Sequence, residues 1–115
     1  MIRRANEMTP DIMKNMRGGN GEVEVLRVLK DDEFHGKGRL FGKITLKPGT
    51  SIGLHEHVGD CEAFYVISGE GLYNDNGKET KVNAGDLLYT DNEESHSIEN
   101  NGTVNLEFMA LILFV

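Results

Sequence analysis

The chain has 115 residues, 38% of them hydrophobic and 27% charged, which fits one domain and excludes wholesale disorder. Its 12 Lys plus Arg stand against 19 Asp plus Glu, a formal charge of −7, and no basic run is longer than Arg3-Arg4. Phosphate neutralisation needs a basic face, so this balance argues against nucleic acid as a partner.

In chain order, the amino terminus carries charge (Arg3, Arg4, Glu7) with no apolar stretch behind it, and it does not read as a signal peptide. Residues 1–21 read as an arm with a short helix: Thr9 as N-cap, Pro10 at the first position, Ile12, Met13 and Met16 as apolar face, and Gly18-Gly19-Asn20-Gly21 as the stop. That helix is too brief for a helix-turn-helix. From residue 22 the pattern turns to period two. Glu22–Leu29 and Arg39–Lys47 read as strands around a charged loop, Lys30–Gly38, and Pro48-Gly49 signals a turn. Short strands follow at Ser51–His57, Glu62–Ile67, Gly71–Asn74, Glu79–Val82, Asp86–Thr90, His96–Glu99 and Val104–Val115. Asn76-Gly77 and Asn101-Gly102 are two-residue hairpin signals, because both central positions of the favoured turn need positive φ.

About nine strands with almost no helix predict an all-β sandwich or barrel over residues 22–115. The last strand is apolar on both faces, with Leu106, Phe108, Ala110, Ile112 and Phe114 on one and Met109, Leu111, Leu113 and Val115 on the other. Such a strand is covered on both sides, which predicts a homodimer through this C-terminal strand. Its apolar run, Phe108 to Val115, is far short of the roughly 20 residues of a membrane-spanning helix, so no membrane association is expected. The single cysteine, Cys61, excludes an intramolecular disulfide and suits a reducing, cytoplasmic location.

Three of the four histidines converge with one carboxylate. His55 and His57 are two apart on a strand and project from the same face. Val58-Gly59-Asp60 turns the chain, Glu62 begins the returning strand, and His96 opens a later one. Imidazole and carboxylate donors facing inward together are what a divalent transition metal needs, whether Mn, Fe, Co, Ni, Cu or Zn.

This pattern resembles the cupin superfamily. The first cupin motif, G-x5-H-x-H-x4-E-x6-G, is matched at every fixed position by Gly49, His55, His57, Glu62 and Gly69. The second, G-x5-P-x-G-x2-H-x3-N, is matched by Gly85, His96 and Asn100, with Asp91 in place of the proline and Glu93 in place of the second glycine. Those two departures affect a turn and remove no ligand. The resemblance implies a double-stranded β-helix (jelly-roll barrel) with one divalent metal per chain held by His55, His57, Glu62 and His96. Four protein ligands on a six-coordinate metal leave about two positions for a small ligand or substrate. Carboxylates, keto acids and sugar-like molecules suit that shape. Known cupin activities include oxalate-type decarboxylases, dioxygenases and isomerases, so the resemblance implies a metalloenzyme acting on a small oxygenated anion. The alternative is a non-catalytic module that binds a metal or small ligand. A third reading is a non-enzymatic subunit joined to a larger complex by its last strand. No general acid or base is placed at the site by sequence, so no catalytic residue is named.

The remaining residues have simpler readings. Phe64 shares the parity of Glu62 and is placed as a pocket-lining residue. Cys61 alternates away from the metal into packing. His35 and the run Asp31-Asp32-Glu33 read as solvated loop, Glu56 as facing outward, and Asn100 as turn chemistry.

Overall fold

The computed structural model describes residues 1–115. Its strands are β1 (Asp11–Lys14), β2 (Glu22–Arg27), β3 (Gly38–Leu46), β4 (Ser51–Glu56), β5 (Asp60–Ser68), β6 (Glu70–Asp75), β7 (Lys78–Asn83), β8 (Leu87–Thr90), β9 (Ser95–Glu99) and β10 (Leu106–Phe114). All pairings are antiparallel, in a six-stranded sheet of order β1-β2-β3-β10-β5-β8 and a four-stranded sheet of order β4-β9-β6-β7. The two sheets enclose one apolar core, the jelly-roll arrangement expected. No helix is long and apolar enough to cross a membrane.

Period-two alternation produces this core. Leu106, Phe108, Ala110 and Ile112 of the central strand β10 face inward and are buried, between Leu40, Ile44 and Leu46 of β3 and Phe64 and Val66 of β5. Ile52, Tyr73, Val82 and Ile98 close it from the four-stranded sheet. The turn at Asn76-Gly77 joins β6 and β7 with both φ values positive, 51° and 98°, as the sequence predicts.

Three local expectations are revised. The helix expected from Thr9 does not form: Asp11–Lys14 is a strand paired with β2, and the helical content of the arm is two single 3-10 turns, Ala5–Glu7 and Met16–Gly18. A segment this short does not offset the cost of helix nucleation, whereas the edge of β2 offers backbone partners at once. Asn101-Gly102 is not a hairpin, because β9 and β10 belong to different sheets. Residues 100–105 instead cross between the layers, pinned by the fully buried Asn100. Its Nδ2 donates to the carbonyls of Leu46 and Val104, and its Oδ1 accepts from the Gly102 amide. The third revision is in β4. Strict alternation would put Ile52 and Leu54 on one face, yet Ile52 is buried and Leu54 exposed. The pairing of β4 with β9 slips between Ile52 and His55, and this bulge lets both Ile52 and His55 face inward.

Over β5, β8 and the end of β10 the outward face of the six-stranded sheet is apolar. Tyr65, Ile67, Leu87, Tyr89 and Leu113 are exposed there, and Met109 and Leu111 lie half-buried among them.

Candidate metal centre

The residues singled out by sequence come from both sheets. His55 of β4 stands opposite His96 of β9 in the four-stranded sheet. His57 follows the end of β4, its amide donating to the Glu94 carbonyl. Glu62 reaches in from β5, between Thr90 of β8 and Ile112 of β10. His96 Nε2 lies 3.1 Å from Nε2 of both His55 and His57, and Glu62 Oε1 is 3.0 Å from His57 Nε2 and 3.1 Å from His96 Nε2. One donor atom from each of the four residues falls within 4.8 Å of the others.

The far side of each imidazole explains why these nitrogens converge. His55 Nδ1–H donates to the Gly53 carbonyl at 2.7 Å, and His57 Nδ1–H donates to Asp60 Oδ1 at 2.7 Å. A carbonyl and a carboxylate only accept, so both neutral rings present a bare Nε2 lone pair to the centre. His96 Nδ1 is held at 2.9 Å by both the Thr90 hydroxyl and the Tyr73 hydroxyl, which lie 2.8 Å from each other. Lone pairs and a carboxylate facing one another repel unless a metal cation or a shared proton lies between them. Ligands at right angles on a metal with bonds of about 2.1 Å are about 3.0 Å apart, which is the spacing found here. The donor set therefore fits a divalent transition metal.

The electrostatics follow. Burial, first of all, pushes His55 down to about 4. In the protein alone the hydrogen bond with Glu62 chiefly, and that with Asp60, hold His57 above the usual histidine value. Burial pushes the Glu62 carboxyl up, but hydrogen bonds and charge from His57 and His96 together outweigh it and leave the carboxyl lowered. Asp60 is likewise lowered despite burial, since His57 and Arg39 both hydrogen-bond it. Burial raises the Tyr73 phenol to about 12, so its hydroxyl stays protonated.

A cavity of about 50 Å³ opens beside the group, room for only a few water-sized groups. His55, His57, Glu62 and Phe64 line it with Met16, Arg17, Arg27 and Arg39. The Phe64 ring stacks on His96 with centroids 5.1 Å apart. His35 and Glu56 are exposed and Cys61 is buried in packing, as read. Glu33 is more than a solvated loop residue: it pairs with Arg3 at 2.9 Å and accepts from the Lys30 amide.

Sequence reasoning missed the supporting residues Asp60, Arg39, Thr90 and Tyr73. Asp60 had a usable signal, since a carboxylate three residues beyond a ligand histidine in a turn can reach its Nδ1. Thr90 and Tyr73 are brought to His96 only by the sheet pairing.

Residues 42–113 match the profile of the Cupin domain family (Cupin_2), a span that includes all four clustered residues. The chain is a cupin. Across all 115 residues it is 49% identical to a protein named oxalate-binding protein from Thermotoga maritima, covering 100% of this chain and 95% of that one. A solved structure from the same organism, described as a predicted oxalate decarboxylase, superposes with a TM-score of 0.95 at 49% identity over 100% of both chains. A polyketide cyclase from Streptomyces resistomycificus gives a TM-score of 0.79 at 15% identity, covering 99% of this chain and 80% of that chain, a likeness of fold alone. Within this cupin the position of the second motif's missing glycine is informative. Glu93 stands there at φ 69°, in the left-handed region that glycine adopts freely, with its amide donating to the His57 carbonyl.

Proposed function

We propose that this cupin holds one divalent transition metal ion (Mn, Fe, Co, Ni, Cu or Zn) on His55, His57, Glu62 and His96 and binds a small oxygenated carboxylate of the oxalate type beside it. The supporting observation is the convergence of three imidazole nitrogens and Glu62 at about 3 Å, a spacing that a bound divalent cation bridges and that protons on the rings hold in its absence. When bound, the metal supplies a Lewis-acid centre that attracts anionic oxygens even in an acidic protein. The chain's own residues do the rest. Gly53, Asp60, Thr90 and Tyr73 fix the rings, Phe64 walls the cavity, and its small volume restricts the ligand to a few heavy atoms. The names carried by both Thermotoga maritima relatives favour oxalate as the first ligand to try.

Beyond the cluster itself the cavity presents arginines and apolar side chains, a lining suited to holding an anion. Turnover of the held anion as a lyase, oxidoreductase or isomerase is the second reading, favoured by the description of the solved relative as a predicted oxalate decarboxylase. Metal analysis of protein purified without chelator or affinity nickel tests the first reading. We expect close to one divalent metal per chain, lost in His57→Ala; less than half occupancy, unchanged in that variant, contradicts it. Product formation from oxalate by the loaded protein decides between binding and turnover.

The partner proposed for the outward face of the six-stranded sheet is a second copy of the chain. Tyr65, Ile67, Leu87, Tyr89 and Leu113 form an exposed apolar surface there, continuous with the half-buried Met109 and Leu111. A dimeric mass by light scattering at micromolar concentration is expected, with Leu111→Glu monomeric; a monomeric parent contradicts the proposal. A reducing, cytoplasmic setting belongs to the same proposal and is supported by the free, buried Cys61.

A further inference from the structure

Three arginines line the cavity beside the histidine–glutamate group: Arg17, Arg27 and Arg39. Two already have carboxylate partners, with Arg27 Nε 3.3 Å from Asp11 Oδ2 and Arg39 Nε 2.9 Å from Asp60 Oδ2. Arg17 is in none of the chain's ion pairs, and its side chain is exposed at the rim of the cavity. A guanidinium neutralised by aspartate adds little attraction for a ligand, so the uncompensated charge in the lining is that of Arg17.

Its placement is specified by the backbone. Arg17 sits at φ 55° and ψ 31°, left-handed values disfavoured for any residue with a Cβ, and Asn15 at φ 50° precedes it. Strain of this kind persists where surrounding structure imposes it, and it concentrates at ligand sites. Here the imposing contacts are two glycines. A Cβ on Gly53 would collide with the Arg17 carbonyl, and a Cβ on Gly19 would collide with the Ser51 carbonyl, so the arm lies directly against β4. Gly53 is also the residue whose carbonyl accepts the His55 Nδ1–H. One glycine thus fixes both a metal-facing imidazole and the approach of the arginine.

Resting on the metal-binding reading above, we propose that Arg17 is the specificity-determining residue for the outer carboxylate of a small dicarboxylate. The ligand's inner oxygens face His55, His57, Glu62 and His96, while its outer carboxylate pairs with the Arg17 guanidinium. The planar fork of arginine matches a carboxylate with two parallel hydrogen bonds, which a lysine does not reproduce. The site therefore prefers a dianion to a monoanion of the same shape.

Oxalate and oxamate make that comparison, since oxamate keeps one carboxylate for the inner position and offers an uncharged amide at the outer one. Titration calorimetry is run on the full chain loaded with Mn²⁺, as parent, Arg17→Gln and Arg17→Lys. The parent is expected to bind oxalate at least about tenfold more tightly than oxamate, the order of one charge-assisted pair. Arg17→Gln is expected to lose that preference through weaker oxalate binding, with oxamate affinity and manganese content unchanged. Arg17→Lys should recover only part of it. Equal loss of both ligands in Arg17→Gln, or no loss of either, overturns the role of Arg17. A parent that holds manganese and binds neither ligand overturns the carboxylate reading and this inference with it; a parent that holds no manganese overturns the metal centre itself. Thermal unfolding of the variants separates a local effect from a damaged fold, because Gln and Lys keep the same backbone demand at position 17.

Discussion

Asp60 offers the sharpest test of how the rings are held. Its carboxylate accepts from His57 Nδ1 at 2.7 Å through one oxygen and from Arg39 Nε at 2.9 Å through the other, almost wholly out of solvent. Asp60→Asn keeps the shape and removes the charge. The amide oxygen still accepts from His57, so the ring keeps its orientation, but a charge-assisted bond worth about 1.5–3 kcal/mol becomes a neutral one worth about 0.5–1.5. The amide nitrogen then faces the Arg39 donor, and Arg39, whose side chain is 42% exposed, turns toward water. The imidazole loses basicity at Nε2. Losing such a partner behind a metal-binding histidine typically weakens metal affinity about 10–100-fold, or about 1.4–2.7 kcal/mol. Chelator-competition titration with Mn²⁺ or Zn²⁺ reads this directly. Arg39→Gln is the control: it leaves the Asp60–His57 bond in place, and less than about a threefold change is expected from a half-exposed ion pair. If folded Asp60→Asn binds metal within about twofold of the parent, the idea that Asp60 sets the His57 tautomer and basicity is wrong.

Two further outcomes follow from the buried polar groups. Asn100→Ala strands the carbonyls of Leu46 and Val104 and the amide of Gly102 in the crossing between sheets, and should cost about 2–4 kcal/mol in urea unfolding; a loss below about 0.5 kcal/mol contradicts its pinning role. The metal-free protein should be most stable near pH 6.5. His55 is held down at about 4, so the unfolded chain binds the extra proton between there and 6.5, and stability falls as pH drops through that window. His57 is held above 6.5, so its contribution is complete below that value and is lost as pH rises through its folded pKa. Thermal midpoints across this range should show a maximum without metal. A metal-free midpoint that keeps rising through about pH 8 refutes the assignment.

The strands and the four clustered residues were legible because they depend on local pattern. Alternation from Glu22 onward marks the strands, and the spacing of Gly49, His55, His57, Glu62 and Gly69 marks the site. What escaped depends on partners remote in sequence. Asp11–Lys14 looks like the start of a helix until the edge of β2 is beside it. Asn100-Asn101-Gly102 has hairpin chemistry, but β9 and β10 lie in different sheets, so the asparagine is used to fasten a crossing. The bulge at Gly53 and Leu54 breaks the parity rule, since a period-two reading has no means of inserting a residue. Tyr73 and Thr90 reach His96 across sheet pairings that no window of sequence contains.

The measurement that bears most directly on the account is a crystal structure of protein grown with added Mn²⁺, Co²⁺ or Zn²⁺, with anomalous data collected at the metal edge. The account predicts one peak per chain about 2.0–2.3 Å from Nε2 of His55, His57 and His96 and from Oε1 of Glu62, with the rings still held by Gly53, Asp60, Thr90 and Tyr73. An anomalous map with no peak among these four residues, from crystals in which the metal is bound elsewhere or not at all, contradicts it.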